Sequence, residues 1–263
     1  MHSQDHFANP AMDIARTSHA PDLRETAILL DIDGTILDIA PTPRDVRMPP
    51  GLRQTLARLQ ERSGGALALV SGRPLADIDV IFAPLVLAAI GGHGAELRPV
   101  PGIEPQRRAG SLSPELKRAL VALTDLGPGI LSEDKGYSFA LHYRLAADFG
   151  PALRAAVADI CSALPAGSVE VLPGKAVVEV KPARINKAAA VRELMTYPPF
   201  KNRRPIFIGD DVTDEPVFTI IPEFGGLGFS VGRVVAGVNG HFDGPEDVRA
   251  WLARLAAGRG DAA

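Results

Sequence analysis

Residues 27–30 read Ala-Ile-Leu-Leu, an apolar run without a polar break, and it closes at Asp31-Ile32-Asp33-Gly34-Thr35. Such a run predicts a strand buried on both faces that enters a glycine turn, as in a parallel sheet. Leu52, Leu56 and Leu59 recur at helical spacing, and Gly64-Gly65 ends that helix. Residues 66–70 form a second apolar run closing at Ser71-Gly72-Arg73, with Pro74 suited to the first turn of the next helix. Residues 85–90 form a third, closing at Gly91-Gly92-His93-Gly94. Alternation of strand and helix predicts a parallel sheet with crossover helices. The same grammar returns late in the chain. Asn186 caps a helix reaching Met195, residues 205–208 form a strand closing at Gly209-Asp210-Asp211, and residues 227–231 form another. Val248, Trp251, Leu252 and Leu255 line one face of a last helix.

Between these halves the period changes. Residues 137–144 alternate strictly, with Tyr137, Phe139, Leu141 and Tyr143 on one face and Ser138, Ala140, His142 and Arg144 on the other. Residues 175–181 set Ala176, Val178 and Val180 against Lys175, Val177, Glu179 and Lys181. This is the pattern of an antiparallel sheet with one wet face. Pro173-Gly174 reads as the turn joining the second strand to residues 169–172. The expected organisation is a flexible tail over residues 1–25, an α/β core over 26–107 and 182–263, and an α+β insertion over 108–181. The insertion is expected to present His142, Arg144, Lys175 and Glu179 on one surface.

Composition narrows the function classes. Twenty-eight Lys plus Arg stand against 31 Asp plus Glu, a net charge of −3 in 263 residues, so no broad basic field exists for nucleic acid or an anionic membrane. The longest uncharged stretch, residues 80–95, is shorter than the roughly 20 residues that span a bilayer, and Pro84, Gly91 and Gly92 interrupt it. The first two dozen residues lack the basic start and apolar core of a secretory signal. The lone Cys161 excludes an intramolecular disulfide framework and reads as a small buried hydrophobe. A cytoplasmic monomer acting on a small molecule is the expectation.

Each charged cluster of the α/β part directly follows a buried run: Asp31 and Asp33, Ser71, and Asp210 and Asp211. In an open parallel sheet the carboxyl ends of the strands line the ligand crevice, so these groups are expected to converge beside a helix that begins at Asn186-Lys187. Hard oxygen donors around one fixed cation suit Mg²⁺. A lone Asp-x-Asp-Gly is ordinarily turn chemistry, and an EF-hand loop is excluded by Thr35 and Thr42 at its fifth and twelfth positions. The recurrence at successive strand ends carries the functional reading.

The ordered set Asp31-Ile32-Asp33-Gly34-Thr35, Ser71-Gly72-Arg73, Lys187 and Gly209-Asp210-Asp211-Val212-Thr213-Asp214-Glu215 resembles the motifs of the haloacid dehalogenase-like phosphatases. Three further stretches, Gly92-His93-Gly94-Ala95-Glu96, residues 135–144 and residues 174–182, resemble bacterial trehalose-6-phosphate phosphatases. That resemblance runs from about residue 27 to about residue 255. It implies a Rossmann-like parallel-sheet core with an inserted α+β cap, and an Mg²⁺-dependent hydrolysis of trehalose 6-phosphate, the last step of trehalose biosynthesis.

The resemblance also implies roles. Asp31 is the nucleophile that forms an aspartyl-phosphate, and Asp33 is the acid and base that protonates the leaving sugar and then activates water. Ser71 and Lys187 complete the catalytic set. Thr35, Ser71, Gly72, Arg73 and Lys187 hold the phosphate. Asp31, Asp33 and Asp210 hold the metal, with Asp211 a further candidate ligand and Asp214 steadying the metal's bound water. In the cap, Glu133, Lys135, His142, Arg144, Lys175 and Glu179, with His93 of the core, are candidates for the sugar hydroxyls. One departure is Ala188, where the family commonly has glycine after the lysine; alanine starts the helix more firmly. Rival readings are a phosphatase for another sugar phosphate, a receiver-like phosphorylatable switch and an inactive sugar-phosphate sensor. Asp33 and the long insertion count against the switch.

Overall fold

The structure, a computed structural model, describes residues 21–40, 45–108, 110–174 and 176–258. The first half of the core contains β1 (Thr26–Leu30), α1 (Leu52–Arg62), β2 (Leu67–Val70), α2 (Leu75–Phe82), β3 (Ala88–Gly91), β4 (Glu96–Arg98) and β5 (Gln106–Arg107). Then come α3 (Pro114–Ala122), β6 (Leu131–Asp134), β7 (Phe139–His142), α4 (Gly150–Ser162), β8 (Val169–Gly174) and β9 (Val177–Pro182). The chain closes with α5 (Lys187–Leu194), β10 (Arg204–Gly209), α6 (Glu215–Ile220), β11 (Leu227–Val231), β12 (Gly240–Phe242) and α7 (Pro245–Ala257).

Two sheets result. The larger has the order β12-β11-β10-β1-β2-β3-β4-β5, parallel from β12 to β3 and antiparallel beyond. Successive residues of β1 alternate between two apolar layers, Ile28 and Leu30 packing with α1, α2 and α7, and Ala27 and Leu29 with α5 and α6. Both faces are therefore covered, which is why the strand reads as an unbroken apolar run. The smaller sheet, antiparallel in the order β6-β7-β9-β8, packs one face on α3 and α4 through Phe139, Leu141, Val178, Val180, Leu153 and Val157.

Several expectations shift in detail. The run at residues 85–90 becomes a strand only from Ala88, and the alternating stretch 137–144 only over Phe139–His142. Pro74 caps α2 rather than lying in its first turn. The β8–β9 ladder runs out to Gly174 paired with Val177, so Pro173 and Gly174 belong to the strand end and not to the turn. Of the expected tail, residues 1–20 lie outside the described residues, whereas Leu23 is buried in the core and its carbonyl accepts from Arg203. Cys161 is half-buried on α4. Among the described residues no helix is long and apolar enough to cross a membrane.

Candidate active site

The sequence winds outward from β1 in both directions, to β2 and β3 on one side and to β10, β11 and β12 on the other. That reversal opens a crevice at the carboxyl ends of the central strands. Asp31, the first residue past β1, donates its N–H to the Ile208 carbonyl of β10 at 2.9 Å, which fixes its direction. Its Oδ1 accepts from Lys187 Nζ at 2.7 Å and its Oδ2 from the Thr35 hydroxyl at 3.1 Å. Lys187 Nζ also donates to Asp214 Oδ1 at 2.7 Å. All three charged groups are buried. Lys187 is placed by the start of α5, where the Asn186 side chain accepts from the Ala189 N–H and Ala188 packs into the core. Gly34 has φ +85°, and a Cβ there would lie 2.1 Å from Asp210 Oδ2, so only glycine lets the two strand-end loops meet.

The charge in this cluster is out of balance. Burial pushes the Asp31 carboxyl well above the usual carboxylate range, and Asp214 and Asp210 add to this against the pull of Lys187. Asp210 is pushed up to about 6 by burial and by the negative charges of Asp214 and Asp211. Burial alone would lower Lys187, but its two carboxylate partners hold the ammonium above the ordinary lysine range. One ammonium thus serves several carboxylates. Asp31, Asp210 and Asp214 bring oxygens within 4.8 Å of one another, a set of hard donors with excess negative charge that fits a divalent cation.

The other motif residues take more particular places. Asp211 is exposed and caps the turn before α6, its Oδ1 accepting from the Val212 N–H at 2.7 Å, so it stands outside the cluster of Asp31, Asp210 and Asp214. Asp214 belongs to that cluster, with Oδ2 accepting from the Asp211 N–H at 3.1 Å. Arg73 grips Asp33 through two contacts of 2.6 and 2.7 Å instead of pointing at an open phosphate site. The Thr35 hydroxyl is spent on Asp31, leaving its amide as the phosphate donor to consider, but that amide donates to Ile32. Ser71 Oγ accepts from the Arg73 N–H at 3.1 Å, and among the described residues its own proton has no acceptor. Gly72 lies under the His93 ring, where a Cβ would come within 2.4 Å.

The second sheet turns its polar face toward this crevice. Glu179 on β9 accepts from Lys135 at 2.8 Å and from Ser138 at 2.7 Å, and lies 3.8 Å from His93 Nε2 of the core. Burial would raise Glu179, but His93 and Lys135 outweigh it and hold the carboxyl well below the usual range. Burial lowers His93. His142 pairs with Glu133 at 2.9 Å, a hydrogen bond that lowers the Glu133 carboxyl. Arg144 Nη1 donates to the Ala40 carbonyl of the core at 3.0 Å. Ser138 and Ala140 are fully buried, so the face expected to be wet is covered by the core. Lys175 lies outside the described residues.

Four residues on or beside this face were not among the sequence candidates. Ser138 reaches Glu179, Lys181 is buried and donates to Glu170 at 2.5 Å and to the Ile185 carbonyl, and the Tyr137 ring sits over Gly92. Their alternation with apolar neighbours was visible, but the strand register that pairs Glu170 with Lys181 was not. Glu96 caps α2 by accepting from the Leu75 N–H at 2.7 Å.

Known proteins resemble this chain in sequence and fold. A sequence profile of the trehalose-phosphatase family matches residues 29–241. A probable trehalose-phosphate phosphatase of Sinorhizobium fredii (strain NBRC 101917 / NGR234) is 42% identical over 238 residues, covering 89% of each chain. The trehalose-6-phosphate phosphatase of Escherichia coli (strain K12) is 35% identical over 231 residues, 86% of this chain and 85% of that one. A solved trehalose-6-phosphate phosphatase related protein is 26% identical with TM-score 0.69, covering 86% of this chain and 95% of that one. The C-terminal domain of the C. albicans trehalose-6-phosphate phosphatase shares the fold at TM-score 0.77 and 23% identity, over 89% and 92% of the two chains. With a family match over most of its length and these relatives, the chain belongs to the trehalose-phosphatase family.

Proposed function

We propose that the chain hydrolyses trehalose 6-phosphate to trehalose and phosphate through an aspartyl-phosphate on Asp31, with Mg²⁺ as its metal. The observation that carries this is the buried Asp31–Lys187–Asp214 chain of contacts at the sheet's switch point, facing a polar sheet contributed by the insertion. Phosphate monoesters need up to ~10²¹-fold acceleration, so several devices must act together.

Asp31 and Asp210, with the main-chain carbonyl of Asp33 implied by the family resemblance, would hold the metal. When bound, it supplies positive charge that offsets the repulsion between the Asp31 carboxylate and the anionic phosphate. An Asp31 oxygen attacks phosphorus as the bond to the sugar oxygen breaks, and Asp33 gives that oxygen a proton. Asp33 then takes a proton from water, which attacks phosphorus and releases Asp31. For this Asp33 must leave Arg73. An arriving phosphate offers Arg73 another bidentate acceptor, which frees Asp33 and brings Arg73 to the phosphate. Ser71 donates its free hydroxyl proton and Lys187 neutralises charge on the transferred group. The sheet over residues 108–181 acts as the cap, with Glu133, Lys135, His142, Arg144, Lys175, Glu179 and His93 reading sugar hydroxyls and closure excluding water. We place the enzyme in the cytoplasm as a monomer, in keeping with its single cysteine and near-neutral charge.

The test is phosphate release from trehalose 6-phosphate, glucose 6-phosphate and sucrose 6-phosphate, with Mg²⁺ and with chelator, for the unaltered chain and for Asp31→Asn. Metal-dependent release favouring trehalose 6-phosphate, lost in the variant without loss of fold, is expected. Release that survives Asp31→Asn overturns the mechanism, and release without the preference overturns the substrate.

A further inference from the structure

A cleft of about 270 Å³ opens beside the catalytic lysine and runs along β8, the edge strand of the smaller sheet. Lys187 and His93 stand at its catalytic end, Glu170, Leu172 and Lys181 form the wall from the smaller sheet, and Thr213 with Pro216 forms the wall from the core. Two features mark it as built for a ligand. The Nδ1 of His93 is buried without a hydrogen-bond partner, a state that costs free energy unless a bound molecule or water relieves it. The Lys181 side chain is buried at 3% exposure, whereas that of its partner Glu170, which lines the cleft, is 45% exposed. Apolar side chains such as Leu172 and Pro216 alternate with these polar groups, a lining that suits a polyol, which presents C–H faces between its hydroxyls.

Register shows how far the sugar-facing surface extends. Glu133, Ala140, Glu179 and Leu172 are directly opposed across β6, β7, β9 and β8 and so share one face, and Glu170 and Lys181 form the adjoining pair on it. Charge pairs therefore occur across the whole width of the sheet: Glu133 with His142, Glu179 with Lys135, and Glu170 with Lys181. Four strands at ~4.8 Å spacing span ~14 Å, wider than one hexose ring.

We propose that the Glu170–Lys181 end of this cleft seats the sugar ring that does not carry the phosphate, and that Glu170 is the residue that determines specificity for it. This rests on the disaccharide phosphate reading above. The Glu170 carboxylate accepts from hydroxyls of that ring, Lys181 holds the carboxylate in place, and Leu172 lies against the ring's C–H face.

Phosphate release by the full chain with Mg²⁺ tests this, using trehalose 6-phosphate, glucose 6-phosphate and p-nitrophenyl phosphate with Glu170→Gln and Leu172→Trp. Glu170→Gln keeps an acceptor for Lys181, so the fold is preserved. Its expected effect is an approximately tenfold fall in the ratio of kcat/KM for trehalose 6-phosphate to that for p-nitrophenyl phosphate, expressed in KM and of the size of one charge-assisted hydrogen bond. Leu172→Trp fills the cleft and lowers the ratio further. For glucose 6-phosphate, which lacks the second ring, the ratio stays put. Unchanged ratios in both variants overturn the assignment and leave the phosphatase reading standing. An equal loss on glucose 6-phosphate moves Glu170 to the phosphate-bearing ring and overturns it as well. An unaltered chain that cleaves p-nitrophenyl phosphate but not trehalose 6-phosphate overturns the disaccharide reading itself.

Discussion

Among the described residues Lys187 is the single cation in contact with the buried carboxylates of Asp31 and Asp214, so replacing it by methionine isolates the role of its charge. Methionine keeps most of the buried stem, which limits any cavity. The side chains of Lys187, Asp31 and Asp214 are 3%, 7% and 0% exposed, so solvent cannot compensate for a lost partner. Breaking a buried ion pair by removing one member costs about 3–5 kcal/mol, because the remaining charge is stranded. For a chain of this size each kcal/mol moves Tm by about 2–4 °C, so Lys187→Met should lower Tm by about 6–20 °C in chelator. The deficit should narrow with added Mg²⁺, because carboxylates stranded without their ammonium bind a divalent cation more tightly than those of the unaltered chain and so gain more stability from it. Adding Asp214→Asn to Lys187→Met should recover part of the loss, because a neutral amide no longer needs the ammonium. Thermal melts of the unaltered chain, Lys187→Met, Asp214→Asn and the double variant, with and without metal, measure all of this. A Lys187→Met chain that melts with the unaltered protein in chelator, or a double variant that melts lower still, would refute the argument that Lys187 holds these carboxylates together.

Three further outcomes are expected. Gly34→Ala must place a Cβ at φ +85° and 2.1 Å from Asp210 Oδ2, so Asp210 is displaced and the Mg²⁺ concentration for half-maximal activity should rise at least tenfold; an unchanged metal titration refutes this. Glu179→Ala removes the acceptor shared by Lys135 and Ser138 and should reduce kcat/KM for trehalose 6-phosphate at least ten times more than for a small aryl phosphate, an expectation that equal losses would dismiss. Burial holds His93 below its ordinary value near 6.5, so the unfolded chain takes up the proton first and the stability contributed by neutral His93 is present above pH 6.5 and lost as pH falls toward its folded value. His93→Asn, which tolerates the φ of +53° there, should therefore lose less Tm than the unaltered chain between pH 7 and pH 5, as parallel melts would show.

The sequence made the centre of the larger sheet legible because its strands are buried on both faces, and burial of that kind leaves an unbroken apolar run such as Ala27 to Leu30. Its margins were not legible. β4, β5 and β12 are two or three residues long, and Glu96–Arg98 carries two charged residues in three, so no period can show. Around the site, the positions of Asp31, Asp33, Ser71 and Asp210 follow from strand ends, whereas their partners do not. Arg73 on Asp33 and Lys187 on Asp214 depend on how loops 40 and 27 residues apart meet in space. The different places of Asp211 and Asp214 follow from local hydrogen bonding that the sequence does not display, since Asp211 caps the turn and its N–H donates to the inward-facing Asp214.

The conformation of residues 92–94 ties the two sheets together. His93 is held at φ +53° between two glycines that also have positive φ, a conformation costing about 1–3 kcal/mol for a non-glycine residue, so the surroundings must impose it. Both chain crossings between the sheets grip this loop. On the outgoing side Arg108 donates to the Gly94 carbonyl at 2.7 Å and its N–H donates to Ala95. On the return side the Asn186 carbonyl lies so close that a Cβ on Gly94 would come within 2.4 Å of it, and Ile185 packs with Ala95 and Tyr137. Asn186 in turn caps the helix that begins with Lys187. The residue that meets Glu179 and the residue that holds Asp31 are thus fixed by one short stretch of backbone, so the smaller sheet cannot shift against the core without loading the loop that orients both.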